Sequence, residues 1–372
     1  MRRTTREERQ DILSRLFGVA NLSVDDFRAF FQLYDDLADK GGDAVVTIPP
    51  ISGSSVLTHD HLIKAVHLLK HDPGLTRQGA HRALLLQFAT GSQVPSTEVD
   101  KVLNLAVQCI IMVDCSAQSS HAADYNLGGY KPISWQPTER FVDFVKLSLQ
   151  PGIKLGNGAM EMAITKDFKA SLKAWKLRKR LGVKFQPTDD LTKHLLLDRR
   201  RNVLFIFHHI KFLKTQAGLY LPIQKNLGLT VDESLKNGTL PPQLLAETLH
   251  SIQAVLFPPH NKKSARILRK LISNRDTQFD PECARYDGET LPKDFRYIYW
   301  AKRIADLHDL LEKRPPRNGV ERWLQWQSSE GNALLVAFIA LLISIIIGVI
   351  SIGLSAVQIR ISWMAWKHPV ES

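Results

Sequence analysis

The order of apolar and polar positions reads as a succession of helices, with apolar residues returning every three or four places. Ser23 followed by Asp26 has the form of an N-terminal cap, and Phe27, Phe30, Phe31, Tyr34 and Leu37 then fall on one helical face. Thr58 can cap a second helix carrying Leu62, Ile63, Val66 and Leu69, and a third runs from about Arg77 to Phe88. Thr97 and Asp100 open a strongly apolar helix through Val102, Leu103, Ala106, Ile110 and Val113, and Thr138 precedes another beginning at Phe141. Between them, 116–137 is a polar loop of a length that is often functional.

Further along, Lys166 to Leu181 reads as a helix closed by Gly182. Pro241-Pro242 opens a helix reaching Leu256, Ser264 to Ile272 is a short one, and Phe295 to Leu311 is amphipathic. Leu195 to His209 is ambiguous between a hairpin around the arginine run 199–201 and helix; the pattern continues through Lys211 to Gln216, which favours helix. The expected fold class is mainly α: a multi-helix soluble region followed by one C-terminal transmembrane helix.

That last element is the clearest. Ala333 to Val357 passes 25 residues without a charge, a helix of roughly 37 Å against a hydrocarbon core of about 30 Å. A buried core helix seldom runs so far without a charge on any face. Trp323 and Trp326 precede it and Trp363 and Trp366 follow it, which suits rings placed at two membrane interfaces. Lys313, Arg314, Arg317 and Arg322 lie on its amino side against Arg360 and Lys367 beyond it, so the large region is expected to face the cytosol. With 358–372 as a short tail, insertion would follow release from the ribosome: a tail-anchored topology, in an endomembrane of the ER type rather than the mitochondrial outer membrane. Ser344, Gly348, Ser351 and Ser355 share one face, a candidate packing surface for a homodimer through the membrane helix.

Charge sharpens the division of the rest. Of 372 residues, with a net charge of +12, residues 1–150 carry 15 Lys+Arg against 17 Asp+Glu, and all the excess lies beyond them. The boundaries expected are 1–150 for a slightly acidic helical domain, 151–314 for a basic one, 315–332 for a juxtamembrane linker, 333–357 for the membrane helix and 358–372 for the tail. The opening MRRTTREERQ lacks the apolar stretch of a cleavable signal peptide. The three cysteines, Cys109, Cys115 and Cys283, make no disulfide framework and suit a reducing compartment.

The stretches FQPTDDLTKHLLLDRRRNVLFIFHHIKFLK (185–214) and GYKPISWQPTERFVDFV (129–145) resemble a group of filamentous-fungal proteins that pair a helical soluble region with one carboxy-terminal membrane helix. The resemblance implies that architecture and brings no activity, cofactor or site residues.

Candidate chemistry is sparse. Lys166, Lys169, Lys173, Lys176 and Arg180 repeat at three and four beside an apolar ridge of Phe168, Leu172 and Trp175, which would suit an anionic lipid surface. Nucleic acid is disfavoured because no recognised binding motif accompanies the charge. His67 and His71 share a helical face but lack the glutamate of a zinc-protease helix, and His208-His209 is no stronger, so neither a metal nor a cofactor is assigned. Asp114-Cys115-Ser116 with His121 is the only local Cys/His grouping and matches no nucleophile signature, so no catalytic residue is assigned either. An interaction or scaffolding module with an unknown protein partner is the expected role, with an enzyme site at the 116–137 loop as the alternative.

Overall fold

The computed structural model describes residues 4–19, 22–40, 58–88, 95–122, 125–128, 130–150, 162–163, 171–274, 279–286, 291–292, 294–313 and 333–367. Met1–Glu312 form one compact unit and Lys313–Ser372 another. The chain is mainly α-helical, as its periodicity predicts.

Helices α1 (Arg6–Phe17), α2 (Arg28–Lys40), α3 (His59–His71), α4 (Arg77–Phe88), α5 (Ser96–Ile111) and α6 (Phe141–Ser148) come first. Capping fixes several starts. Thr5 and Glu8 close a capping box on α1, and Thr58 does so on α3 with His61 Nδ1 accepting from the Thr58 N–H at 3.0 Å. Ser23 makes no side-chain cap; Val24–Phe27 form a 3-10 turn before α2, and Asp26 pairs instead with Lys211 at 3.0 Å.

Beyond residue 150 the chain mixes short elements. Met162–Ala163 is β1, which pairs antiparallel with β5 (Arg296–Tyr297). Helix α7 (Ala174–Lys176) runs into a π-helical turn over Leu177–Leu181, and Gly182 ends it at a φ of 70°, which glycine takes without steric cost. Strands β2 (Lys184–Thr188), β3 (Leu197–Asp198) and β4 (Val203–Phe207) form a three-stranded sheet in the order β2-β4-β3, with β2 parallel and β3 antiparallel to β4. Then follow α8 (Ile210–Gly218), α9 (Val231–Lys236), α10 (Pro242–His250) continuing as a π-helical segment to Leu256, α11 (Lys262–Ser273), α12 (Ala301–Glu312) and α13 (Ala333–Lys367).

Three expectations are corrected here. Leu195 to His209 is not helical: β3 and β4 form a hairpin around Arg199–Arg201. The Asp198 carboxylate accepts from Arg200 N at 2.9 Å and Arg201 N at 3.1 Å, Asn202 takes a left-handed φ of 56°, and the β-branched and aromatic run Val203–Phe207 suits a strand. The Lys166–Leu181 helix is not continuous, because Lys173 is extended (φ −60°, ψ 137°) and α7 starts only after it. The helix expected from Phe295 starts at Ala301, because the buried Glu247 carboxylate holds the N–H groups of Ile298, Tyr299 and Trp300 at 2.7, 3.2 and 2.9 Å. Burial pushes that carboxyl up to about 7, against the pull of its donors.

Residues 1–150 and 151–312 share one core. Phe212 of α8 packs on Phe17 and on Phe30, with ring centroids 5.7 and 6.3 Å away. Gln216, buried, donates to Ile110 O and accepts from Leu240 N, and Lys146 pairs with Asp232. The charge boundary seen in the sequence is therefore a change of surface, not of packing; the segment 151–161 itself lies outside the described residues.

Candidate functional site: an apolar terminal helix and a basic face

Helix α13 is 35 residues long and contains one segment, Ala340–Met364, long and apolar enough to cross a membrane, with a mean hydropathy of 2.6. A single charged residue, Arg360, lies inside that segment. Its described side chains are exposed all round, from Leu342 at 44% to Ile352 at 72%. Trp363 lies at its far end, with Lys367 Nζ 5.1 Å from the indole centroid. Trp323 and Trp326 fall outside the described residues, as does the side chain of Trp366.

The small-residue face is present. Ser344 donates to Ala340 O at 3.0 Å and Ser355 to Ser351 O at 2.9 Å, so both hydroxyls are satisfied within the helix. A Cβ added at Gly348 would meet nothing within 4 Å.

The basic face is built by two segments nearly ninety residues apart. Helix α7 docks on α11: the Trp175 N–H reaches Ser264 Oγ at 3.5 Å, and Lys263 Nζ lies 4.7 Å from the centre of the Trp175 ring. Leu172, Leu177, Ser264 and Leu268 are buried in or beside this contact. The cations point outward. Arg178, Lys179 and Arg180 are exposed on the π-helical turn; Lys262, Lys263, Arg266, Arg269 and Lys270 are exposed on α11. Neither 171–184 nor 262–273 contains an Asp or Glu.

This charge is not placed for helix stability. Lys262 and Lys263 occupy the first turn of α11, where the positive end of the helix dipole disfavours cations. Lys262 with Arg266, and Arg266 with Lys270, add like-charge pairs at four-residue spacing. Burial, then Arg180 and Lys173, hold the Lys176 ammonium below its ordinary range.

Of the residues singled out in the sequence, Lys173, Lys176 and Arg180 belong to this face, although the break at Lys173 prevents them from forming one straight ridge. Lys166, Lys169 and Phe168 lie outside the described residues. Sequence reasoning missed the α11 cations. The absence of any acid from Lys262 to Ser273, with two lysines at a helix start, was the available signal.

Other polar groupings are more self-contained. Asp189, His208 and His209 bring a carboxylate oxygen and two imidazole nitrogens within 4.8 Å of one another, the one grouping of metal-ligand type among the described residues. Asp189 Oδ1 lies 3.1 Å from His208 Nε2 and 2.8 Å from His209 Nε2. The Asp280 N–H points at His208 Nδ1 at 3.1 Å, which makes that nitrogen an acceptor and leaves the proton on Nε2. A metal on Nε2 would put a second N–H against Asp280, so the donor set fits a carboxylate bridging two imidazoles better than a metal. The two imidazoles hold Asp189 well below the usual carboxylate range despite its burial. His67 and His71 are exposed.

Among the described residues of the loop following α5, Cys115 and His121 each bond elsewhere and not to one another. Cys115 is buried, its thiol donates to Asn104 Oδ1 at 3.3 Å, and burial pushes it up to about 12. His121 Nδ1 lies 2.7 Å from Ala117 O. The loop itself is pinned: Trp135, 2% exposed, donates its backbone N–H to Cys115 O at 3.0 Å and its Nε1–H to Glu139 O.

No family model, curated protein or solved structure matches this chain.

Proposed function

We propose that this is a single-pass, tail-anchored membrane protein whose helical domain faces the cytosol and serves as an interaction or scaffolding module, in an endomembrane of the ER type. The observation behind it is α13: 25 residues of high hydropathy with every described side chain exposed. Water is a poor solvent for such a helix, and a bilayer of about 30 Å matches its length. Alkaline carbonate extraction of membranes tests it: the chain stays in the pellet, and the same chain lacking residues 331–372 moves to the supernatant. Recovery of both in the supernatant contradicts it. The cation balance supports the orientation, and glycans on Asn21 or Asn237 would overturn that part. The small-residue face supports pairing of two copies; Gly348→Leu with Ser351→Leu should then abolish dimer crosslinking, and an unchanged dimer ends the idea.

The basic face favours a second component of the same reading, adhesion to anionic lipid. A tether raises the local concentration of lipid around the domain, so weak contacts count. Each cation near an anionic surface contributes about 1 kcal/mol, so eight exposed cations outweigh the cost of holding α7 and α11 in place. Lys263→Glu with Arg266→Glu and Arg269→Glu should cut the binding of residues 1–330 to phosphatidylserine vesicles more than tenfold at low salt. Equal binding by the variant removes this component and leaves the anchor untouched.

A further inference from the structure

Between the 130–133 loop and α12 lies a pocket of about 60 Å³, lined by Val113, Asp114, Tyr130, Lys131, Ile133, Ser148, Thr192 and Arg303. Its walls come from the end of α5, the loop, the end of α6, the turn before β3 and α12, so only the folded chain assembles it.

Arg303 is the centre of the argument. It is partly buried, donates through one terminal nitrogen to His194 O, and lies 5.2 Å over the Trp300 ring. Among the described residues it makes no ion pair, and burial pushes its guanidinium down to about 10, with the charge of Asp190 acting the other way. Its position is fixed from behind. His194 is fully buried, accepts from Phe207 N at Nδ1, and meets Ser251 Oγ through Nε2. The Glu247 cup sets the register of α12 three residues before Arg303.

The other walls divide into satisfied and unsatisfied donors. Thr192 Oγ1 donates to Asp190 at 2.5 Å, and the Tyr130 hydroxyl donates to the same carboxylate at 3.4 Å. Lys193 neutralises Asp190 at 3.5 Å. The Ser148 hydroxyl is buried with no hydrogen-bond partner among the described residues, and the exposed Lys131 ammonium stands at the rim without an ion pair among them. Asp114 is tied through Oδ1 to the Ser116 hydroxyl and N–H. Lys131, Arg303 and Asp114 together leave one unbalanced positive charge.

We infer that this pocket binds one small monoanionic oxyanion, a carboxylate or a phosphate group, held between Arg303 and Lys131 with the Ser148 hydroxyl as a further donor. A guanidinium offers two parallel N–H groups to such an oxygen pair, Lys131 adds a point charge, and the buried hydroxyl gains a partner that none of the described residues supplies. The volume holds one such group and little more, far below the several hundred Å³ of a site for a drug-sized molecule. The inference stands apart from membrane attachment and from the basic face.

The test is calorimetric titration of acetate and of inorganic phosphate into the full chain in detergent micelles, at an ionic strength fixed with chloride. One saturable site per chain is expected, with Lys131→Gln weakening it about tenfold and Ser148→Ala several-fold. Arg303→Met should abolish it. If Arg303→Met fails to fold, the Lys131→Gln result decides, since that side chain is exposed. The triple variant of the basic face should bind acetate as the unaltered chain does. No saturable heat, equal affinity in Lys131→Gln, or loss in the basic-face variant overturns the assignment.

Discussion

Two regions of this chain are rich in the same residues and treat them oppositely. In the unit ending at Glu312, leucine and isoleucine recur on one stripe of each helix and are withdrawn from solvent: Leu13, Leu69 and Leu103 are 0% exposed. In α13 they cover every face and stand exposed, Ile347 at 58% and Leu354 at 63%. A stripe asks for a protein neighbour; a full coat asks for a different solvent. The lesson is that distribution, and not apolar content, assigns the environment, and the account depends on that distinction.

The largest effect should come from giving α13 the kind of face it lacks. Ile346→Lys with Ile350→Lys places two charges at mid-segment, each costing about 2.5–3.5 kcal/mol of insertion, and the protein should become extractable by carbonate. Retention would mean that the helix is held by something other than lipid.

The converse test removes a buried ring. Phe212→Ala takes away the aromatic that touches Phe17 and Phe30, and should cost about 3–5 kcal/mol of folding stability. A shared core predicts one cooperative melting transition shifted as a whole. Two transitions, only one of them shifted, would restore a division near residue 150.

A smaller effect separates the interior from the surface by pH. Burial holds His194 and His208 below the ordinary histidine value of 6.5. The unfolded chain therefore binds their protons as the pH falls through that value while the folded chain does not, so these groups remove stability on acidification. The slope is about 1.4 kcal/mol per pH unit for each group. Glu247, pushed up to about 7, acts oppositely: it takes stability away as the pH rises from its ordinary 4.5 to 7. His194→Gln should flatten the acid limb of denaturation midpoint against pH by one such slope. An unchanged limb would show that His194 is protonated in the fold.

The smallest effect concerns α11. Lys262→Glu with Lys263→Glu replaces cations by anions at a helix start and should stabilise the fold by about 0.5–2 kcal/mol in total, read as a slightly higher melting temperature, while weakening vesicle binding. A destabilised variant would show that the lysines serve the fold.

Much of the helical frame was legible because period is a local property. The helix expected from Arg77 to Phe88 is α4, the proline pair at 241–242 does open α10, and Thr58 does cap α3. The hairpin at 197–207 was hidden because a short apolar run suits a buried strand and a buried helix equally. The late start of α12 was hidden because its cause is Glu247, more than fifty residues earlier in the chain. The basic face was half legible: the cations near Arg180 announced themselves by spacing, while those of α11 join them only through the Trp175 contact. The pair His208-His209 is visible in the sequence, but its meeting with Asp189, and that of Arg303 with Lys131 and Ser148, are juxtapositions of tertiary structure that sequence spacing does not show.

The membrane claim is tested most directly by sidedness. Two single-cysteine substitutions, Ser328→Cys and Ser372→Cys, flank α13, and the native Cys109, Cys115 and Cys283 are buried and give little background. Sealed microsomes, cytosolic face outward, are treated with a membrane-impermeant maleimide before and after permeabilisation. A spanning helix with a cytosolic domain predicts labelling at 328 at once and at 372 only after permeabilisation. Immediate labelling at both positions would contradict it.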